Sequence, residues 1–189
     1  MKIARVKLES VSDYSQSKHI DVPKLNRELP KDYEERCWRE RCHAGKDGKV
    51  FMPAMSFKNC LASAARFMSE QVPGKGKTTY TKHFLSGVLV MENCPLPVKR
   101  DEVEGEWLFV PSDGKRGGGS RVHKCFPVIR SWKAEVTFHI IDDIITEEVF
   151  TRTLMNAGSY IGLGRFRPEN GGYYGRFRVL EVKWEEVNV

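Results

Sequence analysis

Three segments that alternate polar and apolar residues, and two with apolar residues at helical spacing, predict an α+β domain. Their order along the chain is strand, helix, two or more strands, helix, strand. That order is the βαββαβ plan of a ferredoxin-like, RRM-like domain. At 189 residues, with no internal repeat and no linker clean enough to split it, the chain reads as a single domain over 1–189.

The first strand lies in residues 2–11, where Ile3, Val6 and Leu8 alternate with Lys2, Arg5, Lys7 and Glu9. Residues 12–50 are polar and highly charged and read as a long insertion, with one short helix beginning at Pro30. The first main helix follows: Phe57, Leu61, Ala64 or Ala65, and Met68 recur at helical spacing, with Ser56 as its N-cap. It stops near Pro73-Gly74, and Gly74-Lys-Gly-Lys-Thr-Thr is a basic linker. Val88-Leu-Val-Met and Trp107-Leu-Phe-Val are strands. Residues 111–126 concentrate glycine and basic residues and read as a mobile loop. Lys133–Ile141 alternates again. Thr146 then caps a second helix running to about Ala157, with Ile145 and Phe150 as a hydrophobic staple and Gly158 at C′. The last strand spans 176–187, with Phe177, Val179, Glu181 and Lys183 opposing Arg178, Leu180, Val182 and Trp184.

Composition narrows the function. Lys and Arg total 31 against 25 Asp and Glu, a formal charge of +6, and the isoelectric point is about 9.1; a polyanion is a natural partner. No run approaches the ~18 consecutive apolar residues of a membrane span, and the alternating N-terminus has no signal-peptide core. Five cysteines, an odd number without disulfide-like spacing, read as free thiols in a reducing cytoplasm.

Two segments have the chemistry of an anion site. From Gly158 to Gly175 there are six glycines, and Arg165, Arg167, Arg176 and Arg178 supply charge. Glycine admits positive φ and close approach of N–H groups, here at Gly162 and Gly164, and arginine offers a forked, permanently charged donor set. The other segment is the helix start Pro53-Ala-Met-Ser-Phe-Lys, whose unpaired N–H groups lie beside Ser56 and Lys58. Lys115, Arg116, Arg121 and Lys124 add a basic loop. Read from residue types alone, the glycine segment is equally an ordinary hairpin with a solvated basic face.

Phe51-Met-Pro-Ala-Met-Ser-Phe-Lys-Asn-Cys-Leu-Ala-Ser-Ala-Ala-Arg resembles the segment that opens the first helix of the RAMP (repeat-associated mysterious protein) superfamily. Gly162-Leu-Gly-Arg-Phe-Arg-Pro with Gly171-Gly-Tyr-Tyr-Gly-Arg-Phe is similar to that superfamily's C-terminal glycine-rich loop. The resemblance implies a small backbone subunit of a CRISPR effector complex that binds guide RNA, and its target strand in some members. It implies assembly with other subunits and with copies of itself along the RNA. The expected contacts are Ser56, Lys58, Gly162, Gly164, Arg165, Arg167 and Arg176 on phosphates, with Lys115, Arg116, Arg121 and Lys124 clamping the strand from residues 111–126, which the resemblance makes a thumb-like loop.

Two other functions compete. Some superfamily members are endoribonucleases that use a histidine, or an aspartate in the loop after the first strand; His19 and Asp21 are the candidates here, outside any distinctive constellation. A protein-interaction subunit, with Trp38, Trp107, Trp132 and Trp184 at an interface, is the third class. No cofactor or metal is expected. Cys37-x4-Cys42-His43 lacks a second cysteine pair, and the 74–79 linker lacks the glycine spacing of a phosphate-binding loop.

Overall fold

The computed structural model describes every residue except 113, 115–118, 188 and 189. Its main sheet is built from β1 (Lys2–Ser10), β4 (Val88–Leu89), β8 (Lys133–Ile140) and β9 (Phe177–Glu186), in the order β4-β8-β1-β9 with every neighbour antiparallel. Alternation puts Ala4, Val6, Leu8, Ala134, Val136, Phe138 and Ile140 on one face, all buried. Two helices share that core, α2 (Ala54–Met68) through Phe57, Leu61 and Ala64, and α4 (Glu147–Asn156) through Val149, Phe150 and Leu154. The class is α+β with antiparallel sheets, as the patterns predicted.

The last strand departs from strict alternation. A bulge between the partners of Lys7 and Leu8 leaves Leu180 half exposed. The inward set therefore changes from Phe177 and Val179 to Val182 and Trp184, because one extra residue reverses the facing of everything beyond it.

A second sheet, β2-β7-β6, stands beside the first: β2 (Tyr14–Ser15), β6 (Glu104–Pro111) and β7 (Arg121–Ile129). Residues 121–126, expected in a loop, are thus strand, and the connection is confined to 112–120. The pattern there is polar because β7 is held by its edges. It pairs with β6 along one side, and on the other the Cys125 N–H donates to the Glu34 carboxylate at 2.8 Å. Glu34 belongs to α1 (Pro30–Cys37), so the 12–50 segment is anchored at both its helix and β2. It ends in β3 (Lys49–Met52), which pairs with β5 (Cys94–Lys99). Helix α3 (Thr81–Gly87) leads directly into β4.

Both main helix ends differ from expectation. Helix α2 begins at Ala54 with Pro53 as N-cap, so Ser56 sits inside the first turn. Proline's fixed φ presets the helix start, and the Asn93 side chain accepts from the Ala54 N–H at 3.0 Å. Thr146 does cap α4, accepting from the Val149 N–H. The chain runs past Gly158, however, in a π-helical turn over Ala157–Ile161. Gly158 is needed there for contact, since a Cβ would lie 2.2 Å from the Phe177 carbonyl oxygen.

Candidate nucleic-acid interface

The glycine-rich loop folds back onto β2 and the first turns of α2. Gly164, at φ +77°, lies so close to β2 that a Cβ would meet the Ser15 carbonyl oxygen at 2.3 Å. The Arg165 N–H donates to that same oxygen at 2.8 Å, and the Leu163 N–H to Gly175 O at 3.0 Å. The Gly162 N–H donates to Ala157 O at 2.9 Å. Most N–H groups of the loop therefore hold the loop itself.

This packing encloses a cleft of about 280 Å³, walled by Ser56 and Asn59 of α2, by Gly162–Arg165 and Arg167 of the loop, and by Tyr14, Gln16, Ser17 and His43. The two segments singled out in the sequence are thus brought together. Lys58 points elsewhere on α2 and is not among the lining residues, whereas Asn59, three residues after Ser56, is. Arg176 is exposed outside the cleft, its N–H donating to Ser12 Oγ at 2.9 Å.

The two loop arginines are paired. Arg165 is largely buried: Nε donates to Ser15 Oγ at 3.0 Å, Nη2 to Glu106 at 3.3 Å, and the guanidinium lies 4.0 Å from the Phe126 ring centroid. Burial draws its pKa below the ordinary arginine value. Glu106 also accepts from the Tyr174 hydroxyl, and burial followed by that bond raises the Tyr174 pKa. Arg167 is held by Glu169 at 2.7 and 3.0 Å. Burial pushes the Glu169 carboxyl up, but Ser63 and Arg167 outweigh it and leave the pKa low.

Beyond Ser17 and Arg165 the cleft opens onto two further depressions, of about 550 and 520 Å³, which share Ser17, Arg41 and Lys124. Adjoining through these shared residues, they make up a groove between α2 and the β6–β7 hairpin. Its lining includes Lys18, His19 and Lys24 of the 12–50 segment, with Lys124 and His123 of β7. Among the described residues none of Lys18, Lys24 and Lys124 is joined to a carboxylate in a direct ion pair, although the Lys24 charge helps to lower the pKa of nearby Glu28. Glu34, the one acid lining the groove among the described residues, is taken by Arg41 at 2.5 and 3.1 Å, both side chains being buried. Lys124 was among the expected contacts; Lys18 and Lys24 were not, because a long polar segment gives no sign of which of its residues line a groove.

Arg121 projects from β7 at the hairpin, its guanidinium donating to Phe109 O at 3.4 Å. Lys115 and Arg116 lie outside the described residues. His19 is exposed within the groove, and Asp21 is exposed and absent from these linings. Neither has a partner to orient it for proton transfer among the described residues. The histidine–carboxylate pair that does form, His83 Nδ1 to Asp142 at 2.7 Å, joins α3 to the turn after β8. His43 lines the cleft, its pKa lowered by burial and by Lys18. No three His, Cys, Asp or Glu residues cluster as metal ligands among the described residues. Cys42 is buried, which pushes its thiol up to about 12.

No family model matches this chain, and no curated protein matches it. Its structure is similar to a chain in the cryo-EM structure of the Type III-B Cmr-beta bound to cognate target RNA, with a TM-score of 0.56 at 10% identity. The match covers 97% of this chain and 60% of the other, so this chain spans about three fifths of that one's length. At that identity the likeness is one of fold, and the fold is that of a chain from a Type III-B Cmr assembly.

Proposed function

We propose that this chain is an RNA-binding subunit of a CRISPR-type ribonucleoprotein, which holds guide RNA by its phosphates largely without regard to sequence. The observation that carries the reading is the groove, where lysines outside any direct ion pair lie next to the meeting point of the α2 start and the glycine loop. Phosphate contacts set position and register on a strand without reading its bases. The likeness of fold to a chain of an RNA-bound Cmr assembly supports the same reading. The sheet order β4-β8-β1-β9, with α2 and α4 on one face, supports a ferredoxin-like βαββαβ plan for the main sheet. Other subunits, including copies of this chain, would continue the grip along the RNA. The buried free thiols suit a reducing cytoplasm.

Replacing Lys18, Lys24 and Lys124 together by Gln tests the groove. Affinity for single-stranded RNA should fall on the order of a hundredfold at moderate salt. The plot of log affinity against log salt should become shallower by about two. Unchanged affinity and slope would remove the groove as the site.

A further inference from the structure

The cleft differs in chemistry from the groove it opens onto. The cleft offers a phosphate no arginine free of an acid, since Arg165 faces Glu106 and Arg167 faces Glu169. The side-chain groups left without a partner among the described residues are neutral: the hydroxyls of Ser17 and Ser56 and the amide of Asn59. The Gln16 amide is already engaged, with the Phe51 carbonyl at 2.8 Å and the His43 N–H at 2.8 Å. Apolar surface from Tyr14, Cys60 and Leu163, all buried, completes the lining. At about 280 Å³ the space falls just below the usual ~300–1,000 Å³ of small-molecule pockets.

We infer that this cleft receives one unstacked nucleobase from the strand lying in the groove, with Asn59 and Ser56 bonding its edge. The inference rests on the reading of the groove as an RNA site and adds a point of base preference to it. An uncharged, flat ligand with polar edges suits neutral donors and acceptors over an apolar floor, as a phosphate does not. A side-chain amide offers an acceptor beside a donor and meets adenine with two hydrogen bonds, which makes adenine the matching base. Ser56 and Asn59, three residues apart on α2, face the same way. Low proton affinity keeps the His43 imidazole neutral near pH 7, so it adds no charge to attract a phosphate. Ser17 and Arg165 belong both to the cleft and to the adjoining depression, so a base can enter while its own phosphates stay in the groove.

The test compares oligoadenylate with an abasic strand carrying the same number of phosphates, by fluorescence anisotropy. Oligoadenylate should bind the native protein about tenfold or more tightly than the abasic strand. Asn59→Ala should lower oligoadenylate affinity at least about fivefold, as expected for one lost bidentate contact, and leave abasic binding unchanged. Alanine at this exposed helical position keeps the helix, and Ser56→Ala provides a second, smaller loss in the same direction. Equal binding of the two strands by the native protein, or an Asn59→Ala effect that is absent or equal on both, overturns the inference while the groove stands. Failure of the native protein to bind either strand overturns the groove reading along with it.

Discussion

The open face of the main sheet and the groove beside it are both rich in positive side chains, and they differ in what those charges touch. On the sheet, Arg5 meets Glu185 at 2.5 Å, Lys7 meets Glu181 at 2.8 Å, and Glu9 takes both Lys133 and Arg178. Cross-strand neighbours of opposite sign neutralise one another, and no Phe, Tyr or Trp of β1, β8 or β9 projects on that side. RNA-recognition sheets stack bases on aromatic rings at that face; here that mode has no platform. In the groove, by contrast, Lys18, Lys24 and Lys124 form no direct ion pair among the described residues, and Glu34 is turned inward onto Arg41. Net charge counts both regions alike. Pairing distinguishes them.

The comparison breaks most sharply at Glu34. Its carboxylate serves Arg41 and the Cys125 N–H, all buried. Glu34→Ala should therefore cost about 3–5 kcal/mol by leaving a guanidinium unpaired in the interior, measured by urea unfolding. Replacing Glu34 and Arg41 together by Leu and Met should recover most of that loss. A single variant as stable as the native protein would mean that α1 is not fixed to β7 by this pair.

Gly164→Ala comes next. Its positive φ and the 2.3 Å approach to the Ser15 oxygen leave no room for a methyl group. Strain and displacement together should cost about 2–4 kcal/mol. The same substitution should deform the cleft, so the oligoadenylate preference should disappear together with the stability. Loss of stability with the preference intact would detach the cleft's shape from the loop's seat on β2.

How much of this was legible follows the range over which each feature is determined. The strand at 2–10 and the helices at 54–68 and 147–156 announce themselves because burial on one face imposes a local period. β7 does not, because Arg121–Cys125 is held in place by β6 and, at Cys125, by a carboxylate 91 residues away. The bulge at Leu180 likewise has no local signal. At the site, residue type singled out Ser56, Gly162, Gly164, Arg165 and Arg167, and the fold brings them to one cleft. It could not show that Arg165 is matched by Glu106, 59 residues distant, or that Asn59 and not Lys58 faces inward. Charge is written in the sequence, whereas neutralisation of charge is decided by tertiary contacts.

The smallest effect is the matched control. Replacing Arg5, Lys7 and Lys183 by Gln removes as many positive charges as the groove variant does, and from the same molecule. Each of these side chains faces an acid: Arg5 pairs with Glu185, while Lys7 and Lys183 both pair with Glu181. What reaches the RNA from this face is a screened long-range field, with a Debye length of about 8–10 Å near physiological salt. RNA affinity should fall less than about threefold, with the salt slope unchanged within error. Exposed ion pairs contribute little to folding, so the unfolding midpoint should scarcely move. A loss equal to that of the groove variant would show that the protein binds RNA through its overall charge, and that the pairing of individual side chains does not select the surface.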